Sequence, residues 1–141
     1  MADPEGYVDI NVFVYWLGNH PTFGRTSYKW IKKIEGASRR QYVTSALTLY
    51  ETMVIIGGLT GKTLKDQGLV EEVINSIGGL AGLRIIPLTV EDVTNATKLM
   101  KEYRIDYEDA IHLASALRSR AREIISNDED FDRTPLKRRF D

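Results

Sequence analysis

The sequence has no cysteine, which excludes a disulfide framework, a thiolate metal site and a cysteine nucleophile, and suits a cytoplasmic location. It lacks any apolar run approaching the roughly 20 residues needed to cross a bilayer, so no membrane association is expected. The amino-terminal "MADPEGYVD" is acidic and has no apolar signal region. An excess of charge of either sign is also missing. With 19 Lys and Arg against 20 Asp and Glu, the net charge is -1, which excludes a strongly basic nucleic-acid binder. Contact with nucleic acid must then come from local patches or through metal ions. Repeats, low-complexity segments and interdomain linkers are absent.

What remains is an ordinary globular composition, 43% hydrophobic and 28% charged over 141 residues, expected to form a single domain across 1–141 with its own core. Short apolar runs alternate with helical stretches, the pattern of an α/β sandwich. Tyr7 to Asp9 reads as a strand that "VFVYW" is able to extend, with helix the alternative for that stretch. "TSYKWIKKIEG" reads as a helix capped by Thr26 or Ser27 and stopped by Gly36. "QYVTS" is a strand, after which Ser45 caps "ALTLYETMVII", ending at Gly57-Gly58. Leu59 to Gly82 is punctuated by glycine around a helical "LVEEVINSI". "LRIIPLT" is the clearest strand, and Pro87 marks it as an edge or a terminus. Thr89 with Asp92 resembles a capping box for a helix through Tyr103, and Asp106 repeats the arrangement before "AIHLASALRSR". "EIISN" is a last strand and "DEDFDRTPLKRRF" a polar tail.

Four acids sit where apolar residues are expected. Asp9 stands at the mouth of the most buryable stretch. Glu51 shares a helical face with Leu47, Val54 and Ile55. Asp109 opens "DAIHLASAL", whose stripe is Ala110, Ile111, Ala114 and Leu117, and Asp128 follows the strand "EIISN". Burying a carboxylate costs several kcal/mol unless something compensates it. In an open α/β sheet, functional groups gather at the carboxyl ends of the strands, so the four are placed to converge. Two carboxylates about 5 Å apart repel by roughly 3 kcal/mol at an effective dielectric near 20; a cluster must take up protons or bind cations. Oxygen donors without Cys or His favour Mg²⁺ or Mn²⁺, one ion or two, which suits hydrolysis of a phosphodiester. Each acid also has an ordinary reading. Asp9 is a turn or cap residue beside Asn11, Glu51 an ion-pair partner or a solvated helix edge, Asp109 a complement to the helix dipole, and Asp128 part of the turn "NDED".

The segments "VDINVFVYWL", "SALTLYETMVIIG", "DYEDAIHLASAL" and "IISNDEDFD" resemble, in that order, the signature blocks of the PIN domain family, with toxin nucleases of VapC type the members they look most like. The resemblance runs from Tyr7 to about Asp132. It implies a three-layer α/β/α sandwich around a mainly parallel sheet of about five strands. It also implies that the first strand ends at Asp9 and that "NVFVYWL" is helical, against its composition. Asp9 takes the place of the first-strand Asp, with Asn11 the polar residue that follows. Glu51 falls in "S-x-x-T-x-x-E" with Ser45 and Thr48, Asp109 in "D-A-x-x-x-A-x-A", and Asp128 in "T-x-D-x-x-F". Ser126 stands in the Thr place of that last block and Phe131 in its Phe place.

The activity this implies is Mg²⁺- or Mn²⁺-dependent hydrolysis of RNA to a 5′-phosphate and a 3′-hydroxyl. Asp9, Asp109 and Asp128 would be ligands, and Glu51 a ligand or a positioner of the nucleophile. Asn11 and Ser126 would orient the carboxylates. The implied partners are RNA, a small antitoxin covering the cleft, and a second copy in a homodimer. The alternatives are a PIN nuclease for RNA processing or quality control, and a catalytically silent PIN scaffold that binds RNA or protein.

Other residues read more plainly. Asp106 is a helix cap. Glu108, Glu129, Asp130 and Asp132 are solvated, with Asp130 or Asp132 placed to reach the metal shell. His20 and His112 would support metal-free acid–base cleavage, but nothing in the sequence brings them together. "GGLTGKT" fails as a phosphate loop because Ile56 occupies the first glycine position, and it reads as a turn. Arg25, Arg39, Arg40 and Lys62 are candidates to grip RNA phosphates, against a default of solvated faces. Trp16, Trp30 and Tyr50 read as core or interface aromatics.

Overall fold

The computed structural model describes residues 3–37, 39 and 41–141. Its centre is a parallel sheet of five strands, β1 (Gly6–Val8), β2 (Tyr42–Ser45), β3 (Leu83–Ile86), β4 (Glu123–Ile125) and β5 (Lys137–Arg139), in the order β3-β2-β1-β4-β5. Six helices flank it: α1 (Ile10–Leu17), α2 (Gly24–Glu35), α3 (Ala46–Thr60), α4 (Gln67–Gly78), α5 (Val90–Tyr103) and α6 (Tyr107–Arg118).

Strands β1 and β2 are buried along their whole length, including the hydroxyls of Thr44 and Ser45, because both of their faces are covered, as parallel sheets require. Their side chains alternate between two cores. Val8, Tyr42 and Ile125 join Val12, Phe13, Ile31, Ile34, Ile56 and Ile77 from α1 to α4. Tyr7, Val43 and Ile124 join Ala96, Ala110, Leu113 and Phe131 on the face covered by α5 and α6. The result is the three-layer α/β/α sandwich that the sequence pattern and the family resemblance led us to expect.

The strand order decides where a site can form. From β1 the chain steps outward to β2 and β3, then crosses to the other side of β1 for β4 and β5. The reversal leaves a crevice beyond the carboxyl ends of β1 and β4, the usual ligand position in such sheets. Asp9 follows β1, and Ser126 to Asp128 follow β4.

Several local expectations are corrected. "VFVYW" is helical, as the family resemblance implied and against its strand-like composition: the Asp9 carboxylate accepts the Ile10 N–H at 2.8 Å and starts α1 immediately, and the helix then buries Val12 and Phe13. α2 starts earlier than Thr26 or Ser27, at Gly24, with no side-chain cap, and Ser27 is buried within it. Ser45 does occupy the cap position of α3, but its hydroxyl accepts the Tyr7 phenol at 3.1 Å instead of bonding the helix. α3 runs through Gly57-Gly58 to Thr60 and stops at Gly61, whose φ of +70° suits glycine. "GGLTGKT" is therefore mostly a helix end.

The buried face of α3 is Thr48, Thr52, Met53, Ile56 and Gly57, while Val54 and Ile55 are exposed. On α6 Leu117 is exposed and His112 buried. The polar tail contains a short 3₁₀ turn, Glu129–Arg133, and the whole of β5. A strand spelled Lys-Arg-Arg has no apolar alternation to reveal it. It is tolerated at the sheet edge, where Arg138 pairs with Asp132 and Arg139 with Glu123. The Thr89–Asp92 capping box is present, and α5 ends at Tyr103 as expected.

Asp92 also ties α5 to α6. Its buried carboxylate accepts Arg118 Nε at 2.8 Å, Arg118 Nη2 at 2.9 Å and Ser115 Oγ at 3.1 Å. Burial pushes its pKa up, but Arg118, the Thr89 N–H and Ser115 together hold it below the ordinary carboxylate value. A carboxyl depressed in the folded state stabilises above its unfolded pKa, and that stability is lost as pH falls through the folded pKa. Asp92→Asn is expected to cost about 3 kcal/mol at neutral pH, a fall in melting temperature of roughly 10 °C. The gap between parent and variant should narrow below pH ~4. Thermal melts across pH test this, and a gap that stays constant into acid would contradict it.

Candidate active site

Asp9 is 2% exposed, and its burial is made possible by donors from both sides of the crevice. Oδ1 accepts the Ile10 N–H, while Oδ2 accepts the Ser126 hydroxyl at 2.7 Å and Asn11 Nδ2 at 3.1 Å. Ser126 Oγ also accepts from Asn11 Nδ2 and from the Asp128 N–H, each at 3.0 Å. Asn11 Oδ1 takes the Asn127 N–H at 3.2 Å. Asn11 and Ser126 thus clasp the ends of β1 and β4 around one carboxylate. Burial raises the pKa of Asp9; the charge of His112 and the bonds from Ser126 and Ile10 oppose it, and Asp128 adds to it.

Asp128 caps the 3₁₀ turn by accepting the Asp130 N–H at 2.9 Å. Asp109 lies in the first turn of α6, where its N–H is fixed by the Asp106 carboxylate at 2.8 Å. Asp109, Asp128 and Asp130 each offer an oxygen, all within 4.8 Å of one another. The consequence is electrostatic. Burial first, then the charges of Asp128, Asp106 and Asp9 and a hydrogen bond with Asp128, push the Asp109 carboxyl up to about 8. Oxygen donors in this arrangement match a hard divalent cation, and Asp109, Asp128 and Asp130 are the residues that fit one.

Glu51 sits differently. Its Oε1 is 2.5 Å from Nε2 of His112, a side chain 1% exposed. His112 Nδ1 lies 2.7 Å from the Tyr7 phenol oxygen, which in turn donates to Ser45. With the Tyr7 proton directed at Ser45, both ring nitrogens donate and the imidazole is charged. Burial opposes that charge, but Tyr7, Glu51 and Asp9 outweigh it and hold the His112 pKa well above the usual value. Burial likewise raises Glu51, yet bonds from His112 and Glu108 leave it lowered. Glu108 is pushed up to about 7, chiefly by its hydrogen bond to Glu51, with burial and the charge of Glu51 adding.

The structure therefore brings Asp9, Asp109 and Asp128 together and adds Asp130, while Glu51 is paired with His112, whose charge also acts on Asp9. Glu108, read from sequence as solvated, is the partner of Glu51. His112 was visible in the sequence only as a histidine inside the apolar stretch of "DAIHLASAL". It is not paired with His20, which accepts the Thr22 and Phe23 N–H groups in the α1–α2 turn.

The cations are more scattered. Arg39 precedes β2 at the amino edge of the sheet, opposite the carboxylates. Lys62 lies past the carboxyl end of α3, whose last residue, Thr60, is about 13 Å along the helix axis from Glu51, and sits 3.9 Å from Asp66. Arg25 borders a cleft between α1 and α2, and Arg40 falls outside the described residues. Among the described residues, two bases reach the carboxylate loop: Arg138, whose Nη1 donates to the Ser126 carbonyl at 3.3 Å, and Arg133, whose Nη2 lies 3.3 Å from Asp130. Of the aromatics, Trp30 is core, Trp16 half-buried and Tyr50 exposed.

A divalent ion bound by this cluster should stabilise the folded chain. At a hundredfold excess of Mn²⁺ over its Kd the gain is about 2.7 kcal/mol, several degrees in a thermal melt. Asp109→Asn with Asp128→Asn should remove that response; an undiminished shift would place the ion elsewhere.

No curated protein matches the chain, but solved structures share its fold. A chain of a toxin–antitoxin complex from Klebsiella pneumoniae is 21% identical, with 92% of each chain covered and a TM-score of 0.65. VapC20 from Mycobacterium tuberculosis, a toxin that cleaves the sarcin–ricin loop, is 14% identical, with 92% of this chain and 95% of that one covered and a TM-score of 0.71. A chain of VapBC2 from Rickettsia felis, bound to a DNA fragment from its promoter, is 19% identical over 94% and 96%, with a TM-score of 0.64. At these identities the likeness establishes architecture alone. A sequence model of the PIN domain matches residues 6–137, and with nearly the whole length matched, this chain belongs to the PIN domain family.

Proposed function

We propose that this chain is a Mg²⁺- or Mn²⁺-dependent ribonuclease, the toxin of a pair whose other member is a small antitoxin. The observation that carries the nuclease reading is the convergence of Asp9, Asp109, Asp128 and Asp130 at the crevice between β1 and β4. The toxin reading is supported by similarity in fold to chains of toxin–antitoxin complexes, with more than nine-tenths of each chain covered.

Asp109, Asp128 and Asp130 would hold the metal, with Asp9 beside them. When bound, a divalent ion supplies Lewis acidity toward the scissile phosphate and lowers the pKa of an attacking water. The residues of the chain supply order. Ser126 and Asn11 fix both the rotamer of Asp9 and the backbone that carries Asp128. His112, anchored on Tyr7, fixes the Glu51 carboxylate, which suits a positioning role for it. Carboxylates held in place before substrate arrives need no reorganisation during the reaction.

With Mn²⁺ and a mixed RNA panel, the parent protein should cleave, and EDTA should stop it. Asp9→Asn, which keeps one acceptor for Ser126 but loses the second that holds the Ile10 N–H, should stay folded with a melting temperature lowered by several degrees and lose activity by at least ~100-fold, and Ser126→Ala should lose ~10–100-fold. Parental rates in Asp9→Asn, or cleavage that survives EDTA, would overturn the assignment. Co-purification with the product of an adjacent small gene would support the toxin reading; an isolated gene would favour RNA processing.

A further inference from the structure

We infer that the cleft between α1 and α2 is a subsite for an unpaired nucleobase of the RNA, beside the nucleotide that is cut. This inference rests on the ribonuclease reading above. The cleft has a volume of about 620 Å³ and is bordered by Trp16, Asn19, His20, Arg25 and Tyr28, a size in the range of small-molecule sites.

Its lining combines aromatic surface with hydrogen-bond donors. Tyr28 is 50% exposed and Trp16 half-buried. None of the ion pairs among the described residues engages Arg25. His20 has a fixed role. Its Nδ1 accepts two backbone N–H groups, from Thr22 and Phe23, at 3.0 Å each, so its proton resides on Nε2 and the ring presents a donor. The ring is held by stacking on Phe23 at 5.2 Å and by contact with Tyr15 at 4.8 Å. Asn19 holds the turn in a left-handed conformation, φ 50°.

A planar ligand with acceptors on its edge and a phosphate attached matches this set. The base stacks on Trp16 or Tyr28, its edge accepts from His20 Nε2, and the phosphate meets Arg25. Only a base released from its own stack can do so. An apolar partner helix would instead leave the guanidinium and the imidazole N–H without acceptors.

The cleft is also tied to the carboxylates. Tyr15, next to Trp16, accepts Asn127 Nδ2 at 3.2 Å, and Asn127 lies between Ser126 and Asp128. Tyr15 and Phe23 pack on Phe140, the residue just past the carboxyl end of β5, with ring centroids 5.9 and 6.1 Å away. Residues packed behind the cleft, next to Trp16 and beneath His20, are therefore anchored at the same edge of the sheet as Asp9 and Asp128.

The test measures binding of a short labelled single-stranded RNA of mixed sequence, and of the same strand annealed to its complement, to the full chain carrying Asp9→Asn. Arg25→Ala, Tyr28→Ala and Trp16→Leu are then added singly; the first two are exposed positions that do not threaten the core. Each should weaken single-strand binding roughly tenfold with little effect on the duplex. In protein with Asp9 intact, each should raise KM for RNA while kcat holds. Parental affinity in both Arg25→Ala and Tyr28→Ala would overturn the subsite while leaving the nuclease reading intact, as would equal losses for single strand and duplex. Variants that keep RNA affinity but lose a co-expressed protein partner would make the cleft a protein dock and equally overturn it. A parent that cuts no RNA in Mn²⁺ would overturn the ribonuclease reading and the subsite with it.

Discussion

The hydrogen bond from Ser126 to Asp9 is the constraint on which the site depends. It joins positions separated by 117 residues in the chain and sits where β1 and β4 end side by side. The same hydroxyl accepts the Asp128 N–H, so a single oxygen sets the orientation of one carboxylate and the backbone of another. Fixed dipoles can hold a buried charge that solvent no longer reaches. The strand order makes this economical, because the two strands that flank the switch point are the two whose following residues are acidic.

Carboxylates packed this closely need compensation, and the fold uses two kinds. Glu51 has a permanent one: His112, buried and held by Tyr7, acts as an internal cation. Asp109 has none; it shares its surroundings with Asp9, Asp106 and Asp128, and its carboxyl is raised to about 8. The difference separates roles among acids that look alike in sequence. A carboxylate already paired with a buried imidazolium has little to offer a second cation, while a cluster of oxygens does when its ionic partner among the described residues is the exposed Arg133, 3.3 Å from Asp130. On the proposed reading, this sets Glu51 apart as a positioner and leaves Asp109, Asp128 and Asp130 as the metal-binding set.

Much of this was legible in the sequence where the signal is local. Caps and strands announce themselves through a few adjacent residues, as in Thr89 with Asp92, Asp106 before α6, and "LRII" before Pro87. Asp9, Glu51, Asp109 and Asp128 stood out because charge next to apolar residues is unusual. Signals that depend on tertiary context were lost. "VFVYW" has strand composition, yet Asp9 caps it into a helix whose apolar faces pack on α2 and α3. β5 is invisible because its charged residues are satisfied across the edge by Glu123 and Asp132. The pairing of Glu51 with His112 spans 61 positions, and no local pattern could indicate it. Asp130 joins the acidic cluster because the 3₁₀ turn capped by Asp128 curls it back.

The near balance of charge over the chain takes on meaning at this point. A crevice lined by carboxylates repels a phosphate backbone unless a cation intervenes, and the basic groups are not massed around it. Arg39 is at the opposite edge, Lys62 is beside Asp66, Arg138 is committed to Asp132 and the Ser126 carbonyl, and Arg133 is paired with Asp130. A nuclease built this way cannot draw its affinity from broad electrostatic attraction. It must hold RNA through the metal and through contacts with individual nucleotides, and such contacts favour bases that are free to leave their stack. On the proposed reading, the same distribution of charge that leaves the chain near neutral disposes it toward unpaired RNA.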